Sequence, residues 1–187
     1  EQGDLAELPP AHMPDRHFTA CHLFYTSTRR EPSGAGWRTD YPWGERHLLM
    51  RLAELTRPKI SRRAPSEVPH SRLVRLTDDA LLQRPYLEKG GFLWVDDFWG
   101  ETAWAQWERE FAKAMPANEY PIEDVPLSDP IFRSLFDSTE VPQVSNIRFW
   151  RASRGKNTSE RGEESAVPHF RAVRDAHGRI VAVMTHN

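Results

Sequence analysis

The chain has 187 residues, of which 39% are hydrophobic and 28% charged, and its formal net charge is −2. This balance is typical of one medium-sized globular domain and excludes binding of nucleic acid or anionic lipid through overall charge. A single cysteine, Cys21, excludes an internal disulfide and a multi-cysteine metal site. No apolar run reaches the roughly 18 residues that a membrane-spanning helix requires.

The amino-terminal third of the chain predicts an arm, a strand and a helix. Residues 1–16 contain three prolines and no periodicity, which predicts an irregular arm. The polar start without methionine predicts a mature terminus after signal removal, and so a periplasmic or otherwise extracytoplasmic, membrane-extrinsic protein. Residues 18–25 predict a first strand, with Cys21 as a small buried side chain inside it. Leucines at helical spacing predict an amphipathic helix over 43–56.

The residues before this helix predict how it begins. Thr39 or Asp40 is expected to supply the N-cap, and Pro42 to lie in the first turn. Farther on, Pro85 falls in the middle of a helical pattern over 78–89, where a continuous helix tolerates it badly.

The remaining pattern alternates strands with helices. Residues 90–97 predict a buried strand that begins with two glycines and ends with Asp96 and Asp97. The other predicted elements are a strand at 73–76, a helix at 101–115, a strand at 147–150, a polar surface excursion or flexible loop at 151–165, and strands at 169–174 and 179–185. Together they predict one α/β domain over 17–187 with a mostly parallel sheet.

Five segments, taken in order, resemble one bacterial family. They are Trp37–Pro42, Val74–Asp78, Gly90–Gly100, Leu127–Phe132 and Gly178–Asn187. These segments are similar to the family called domain of unknown function 4159, over a range from Phe18 to the last residue. The resemblance implies a flavodoxin-like fold, similar to class I glutamine amidotransferases and to trehalose-utilisation-type domains, with helices on both faces of the sheet.

The same resemblance implies a position for a site. Relatives of this fold carry a nucleophilic cysteine at a sharp strand-to-helix elbow, and Asp97 falls at that position here. His186 matches the histidine that ends a late strand. Because Asp97 replaces the thiol, glutamine hydrolysis is not expected. The chain departs from the family by lacking a strand near 83–85 and the family's carboxyl-terminal segment.

Two hypotheses follow for the candidate residues. Asp97 and His186 are the catalytic candidates, and Asp40, Asp96 and Trp99 are the ligand-binding candidates. Carboxylates and imidazole can bind a divalent metal or transfer protons. Alternatively, Asp97 caps the following helix and Asp96 bonds backbone or arginine. The other histidines lack metal-ligand spacing, so we assign no metal site and no cofactor.

The preferred function is a non-catalytic binding or structural module, an extracytoplasmic accessory subunit of a larger envelope or membrane-associated assembly. A protein partner or membrane-associated complex is therefore expected, and nucleic acid is not. The alternative is a hydrolase or carbohydrate-related enzyme that uses Asp97 and His186, with or without a divalent metal.

Overall fold

The computed structural model describes residues 17–25, 36–60, 71–75 and 84–186. Contacts within the chain form two compact units, residues 1–81 and residues 82–187, and each is considered by itself. The predicted arm at 1–16, the segment 76–83 and Asn187 lie outside the described residues. The assignment of 17–187 to a single domain stays a prediction.

The first unit contains a two-stranded parallel sheet and one long helix. Strand β1 (Cys21–Phe24) pairs with β2 (Arg72–Arg75), with Cys21 opposite Arg72. Helix α1 (Trp43–Thr56) has the bounds that its leucine spacing predicts, and Leu49 on its inner side is fully buried. The sequence is therefore sufficient to place this helix.

Two predictions for the first unit are wrong. The N-cap of α1 is Pro42, which has no side chain that can accept a capping hydrogen bond, whereas Asp40 adopts a left-handed conformation with φ of 57°. The Asp40 carbonyl instead accepts a bond from the Gly44 amide at 2.8 Å. Cys21 is exposed rather than buried, because β1 belongs to a sheet of only two described strands.

The second unit is a mixed α/β unit built on a four-stranded sheet. Its helices are α2 (Arg84–Glu88), α3 (Gly100–Phe111) and α4 (Ile147–Ala152), and its strands are β3 (Leu93–Phe98), β4 (Glu123–Asp124), β5 (His169–Arg174) and β6 (Ile180–His186). The strand order is β3-β6-β5-β4. Only β3 and β6 are parallel, so the sheet is mostly antiparallel. A flavodoxin-like, mostly parallel sheet is not confirmed.

Both faces of this sheet are covered over part of their area, because side chains alternate along β5 and β6. Val173, Ala182 and Met184 pack with Phe111 of α3 in the larger core. Ala172 and Val183 face the other way and pack with Val125 and Phe132. The sheet therefore separates two apolar clusters, as the alternation of its strands requires.

Two further predictions are corrected in the second unit. Residues 147–150 form helix α4 rather than a strand, because the Asn146 side chain accepts a bond from the Arg148 amide at 2.8 Å and caps a helical turn. Pro85 is the second residue of α2, where proline is tolerated, and not its middle. The stretch 151–165 lies at the surface, as predicted, and hydrogen bonds join it internally and to Gln143.

None of the helices in the described ranges is both long enough and apolar enough to cross a bilayer.

Candidate functional site

The end of β3 turns sharply at Asp97. Asp96 lies opposite Thr185 in the parallel pairing with β6, but the next pair in register is Phe98 with His186. Asp97 is the extra residue, and its φ is 58°. An extra residue of this kind bends a strand, and a positive φ is uncommon outside glycine. The backbone thus changes direction at the residue that the sequence predicts for the elbow.

Asp97 and His186 occupy neighbouring positions at the carboxyl ends of adjacent parallel strands. Phe98, which follows Asp97, lies directly opposite His186. His186 also lies opposite His169, the first residue of β5. The side chain of His186 falls outside the described part of the structure, so the arrangement is one of backbone positions. Asp97 and His186 remain catalytic candidates on that basis.

Asp96 is bonded to Thr185 on the neighbouring strand. The Thr185 hydroxyl donates to Asp96 Oδ1 and accepts from the Trp94 indole at 3.0 Å. All three side chains lie on the same face of β3 and β6, because Asp96 pairs with Thr185 and Trp94 with Val183. The Asp96 carboxylate is exposed and can still accept further bonds. Its bond to Thr185 fits the alternative in which Asp96 has a structural role, although the partner is a hydroxyl rather than backbone or arginine.

Trp99 and Gly100 form the start of α3. Trp99 is the N-cap residue, so Asp97 does not occupy the cap position. Trp99 is only 8% exposed. Gly100 has φ of 79°, and a Cβ atom placed there would lie 2.8 Å from Glu164 Oε2. A carboxylate is favourable at the positive end of a helix, so the chain itself supplies a negative group at the start of α3.

A second group of polar side chains lies at the same edge of the sheet. Asp124 Oδ1 accepts from His169 Nδ1 at 2.8 Å and faces Arg171 Nε at 3.3 Å. The Arg171 guanidinium lies 4.1 Å from the centre of the Trp104 ring, and its Nη1 is buried without a hydrogen-bond partner. Together these residues couple β4 and β5 to helix α3.

Sequence reasoning missed this group for a specific reason. Strand β4 has only two residues, which is too short for any periodicity to reveal Asp124. The spacing of His169 and Arg171 was readable, because residues two apart in a strand share a face. That signal would have joined the histidine to an arginine, but not to its carboxylate.

In the first unit, His22 connects β1 to α1. Its Nδ1 is bonded to Glu45 and its Nε2 to the carbonyl of Trp37. Both partners are acceptors, so the two bonds can form together only when the imidazole is protonated. The rings of Tyr41 and Trp37 lie 5.0 and 6.2 Å from the His22 ring. The second carboxylate oxygen of Glu45 is buried without a partner.

These bonds shift the pKa values of both groups. Burial lowers the pKa of His22, but the bonds to Glu45 and Trp37 together outweigh it and raise the pKa above 6.5. Burial raises the pKa of Glu45, but the bond from His22, a hydrogen bond from its own backbone amide and the charge of His22 together outweigh it and lower the pKa below 4.5. Asp40, the ligand-binding candidate in this unit, contributes its backbone carbonyl to the helix start and stays a candidate.

The chemistry available at the sheet edge is that of carboxylates, imidazole and guanidinium. Within the described ranges, no three acidic, histidine or cysteine side chains converge in a way that could hold a metal ion. Cys21 lies in β1, so the turn after β3 has no thiol.

Comparison with known proteins identifies the family. A family model described as "Domain of unknown function (DUF4159)" matches residues 69–187, which is more than half of the chain. The chain therefore belongs to this family, as the sequence motifs predict. No curated protein and no solved structure matched the chain.

Proposed function

We propose that this member of the DUF4159 family is a non-catalytic binding or structural module, an extracytoplasmic accessory subunit of a larger envelope or membrane-associated assembly. The observation that carries the proposal lies in the connection between β4 and β5, residues 125–168. We call Leu135, Phe136, Val144 and Val167 its apolar surface residues; each is between 55% and 75% exposed. Exposed apolar side chains in such number favour contact with a partner.

The later part of the same connection, residues 143–165, is held together by polar groups. Ser165 and Ser159 are buried, with their hydroxyl groups 2.8 Å apart. Gln143 donates to the Ser165 carbonyl at 2.7 Å and accepts from Thr158 at 2.7 Å. Hydrogen bonds therefore fix this part of the connection from within, while the four apolar surface residues remain on the outside. A protein partner that covers those side chains would remove apolar area from water.

The sheet edge supports a non-catalytic role in the same proposal. Asp96 is bonded to Thr185, and Asp124 to His169. We also propose that the family is related to the class I amidotransferase-like domains. The support for this relationship is the Gly-Gly entry into β3 and the turn at Asp97, which carries a carboxylate where those enzymes need a thiol.

The test is a purification of the tagged, full-length protein from soluble and membrane fractions of its own bacterium, with mass spectrometry of what accompanies it. We expect a protein partner in stoichiometric amount. The variant Phe136→Ser/Val144→Ser should lose the partner, whereas Asp97→Asn should keep it. A matched control, Met50→Ser/Leu55→Ser, removes exposed apolar groups from α1 instead and should also keep it. Recovery of the wild type as a free monomer would overturn the proposal.

A second candidate function is favoured by one observation, the left-handed Asp97 beside the end of β6. In this alternative the protein is a hydrolase or carbohydrate-related enzyme that uses Asp97 and His186, with or without a divalent metal. A positive φ at a non-glycine residue is a recurrent property of functional sites. A panel of ester and glycoside substrates, run with and without added metal, would separate the two candidates. Activity that Asp97→Asn abolishes and Glu101→Gln retains would establish the enzyme.

A further inference from the structure

The stretch around helix α4 carries a local concentration of positive charge. Residues 141–159 contain four cationic side chains and no carboxylate, in a chain whose formal net charge is −2. The four are Arg148, Arg151, Arg154 and Lys156, and all are exposed. Elsewhere in the second unit most arginines are paired, as Arg174 is with Asp129 and Arg179 with Asp175. Among the described residues, no carboxylate forms an ion pair with any of these four.

The same helix presents apolar side chains to the solvent. Ile147 and Trp150 are three residues apart, so they lie on one side of the helix, and they are 53% and 44% exposed. Arg148 and Arg151 occupy the adjacent side. Val144, which precedes the helix, is 75% exposed. The result is an apolar strip with a basic strip beside it.

This strip is held in place by the turn that follows α4. Gly155 has φ of 72°, and a Cβ atom placed there would lie 2.9 Å from Trp150 Cζ2. The Gly155 amide donates to the Trp150 carbonyl at 2.9 Å. One side of the indole is thus covered by backbone while its remaining surface is exposed. The tryptophan is presented in a fixed orientation.

We propose that α4 binds the surface of an anionic phospholipid bilayer. Lysine and arginine on one side of a short amphipathic helix are attracted to lipid phosphates, while tryptophan and aliphatic side chains on the other enter the headgroup boundary. The long side chains of Arg148 and Arg151 can reach phosphates while their stems cover apolar surface. This contact needs lipid alone, but Val144 belongs both to this strip and to the apolar surface residues proposed above to contact a protein partner.

The surface of α4 suits a bilayer better than it suits two other kinds of polyanion. Nucleic acid would use the cations, but it would leave Ile147 and Val144 in water, and the indole of Trp150 has only part of its surface available for stacking on a base. An acidic protein segment would likewise pair with the arginines and make less use of the aliphatic strip. The combination of both strips on one helix is what the headgroup boundary accommodates.

The experiment is co-flotation of the purified, full-length protein with vesicles, without any other protein. Vesicles that contain about one-third phosphatidylglycerol should bind it at low salt, and vesicles of pure phosphatidylcholine should not. The variant Arg148→Gln/Arg151→Gln/Lys156→Gln should bind the anionic vesicles about a hundredfold less, since each basic side chain near such a surface contributes about fivefold. The control Arg51→Gln/Arg57→Gln/Lys59→Gln makes the same charge change on and after α1 and should bind as the wild type does.

Two further variants separate the contributions and the occupants. Arg148→Lys/Arg151→Lys keeps the charge and should keep binding, which shows that a weak Gln variant is not simply misfolded. Ile147→Ser should weaken binding at low and at high salt alike, because the lost contact is apolar and salt does not screen it. The proposal is overturned by equal binding to neutral vesicles, by an equal loss in the control variant, or by preference for RNA or polyglutamate over vesicles of equal charge.

Discussion

The two units contain the same type of residue pair, a histidine bonded through Nδ1 to a carboxylate, in opposite surroundings. His22 and Glu45 are 18% and 19% exposed, and both nitrogens of the His22 ring are bonded to acceptors. His169 and Asp124 are 30% and 59% exposed, and Asp124 also faces Arg171. The first pair is largely shielded from water, so its contribution to stability depends on the charges of its two groups. The second remains hydrated and is screened by solvent.

The largest expected effect on stability comes from replacing the histidine of the first pair. His22→Gln should destabilise the first unit by about 2–3 kcal/mol, because it leaves the Glu45 carboxylate in a largely buried position without its cation. The measurement is hydrogen exchange followed by mass spectrometry, with peptides from 17–60 read separately from those of 84–186. Loss of protection in both ranges alike would show that the pair is not specific to the first unit.

The second prediction concerns pH. The raised pKa of His22 gives stability that is complete below 6.5 and is lost as the pH rises through the raised value. The lowered pKa of Glu45 gives stability that is present above 4.5 and is lost as the pH falls through the lowered value. Protection of 17–60, corrected for intrinsic exchange, should therefore be greatest between 4.5 and 6.5. A profile that is flat across this window and above it would contradict the assignment.

Sequence reasoning succeeded where a single element carries the signal. The leucines of α1 predicted that helix, and two strands around a turn at 175–178 were predicted where β5 and β6 lie. It failed at 147–150, where a strand was predicted but the Asn146 side chain caps a helix. It also assigned the N-cap of α1 to Thr39 or Asp40, although the chain enters that helix through Pro42.

The candidate site divides in the same way. The resemblance to the family implies a turn at Asp97, and the structure has a positive φ there. The bonds of His22 to Glu45 and of His169 to Asp124 join residues 23 and 45 positions apart, across different elements. No local pattern encodes such distances, because they depend on which strands and helices pack together.

The third prediction sharpens the comparison in the second unit. Asp124→Asn should cost about 1 kcal/mol, because it removes the charged partner of both His169 and Arg171 at a half-exposed position. Urea unfolding of the full chain, followed by exchange in 84–186, measures this change. A cost as large as that of His22→Gln would mean that the second pair is also shielded from solvent.

The smallest effect is expected for His169 itself. His169→Gln should change stability by about 0.5 kcal/mol or less, because Arg171 remains beside Asp124 and solvent replaces the imidazole. The double variant His169→Gln/Asp124→Asn then measures the coupling between the two side chains. A coupling of about 2 kcal/mol would mean that the His169–Asp124 pair is as strong as the His22–Glu45 pair.

The left-handed backbone of Asp97 limits which amino acids this position can accept. Glycine, asparagine and aspartate adopt a φ of 58° at low cost, whereas valine, isoleucine and threonine do not. In a library of all twenty residues at position 97, selected only for folding, the first group should be enriched and the β-branched residues depleted. The backbone conformation therefore restricts which residues can occupy position 97, whether or not the site has an activity.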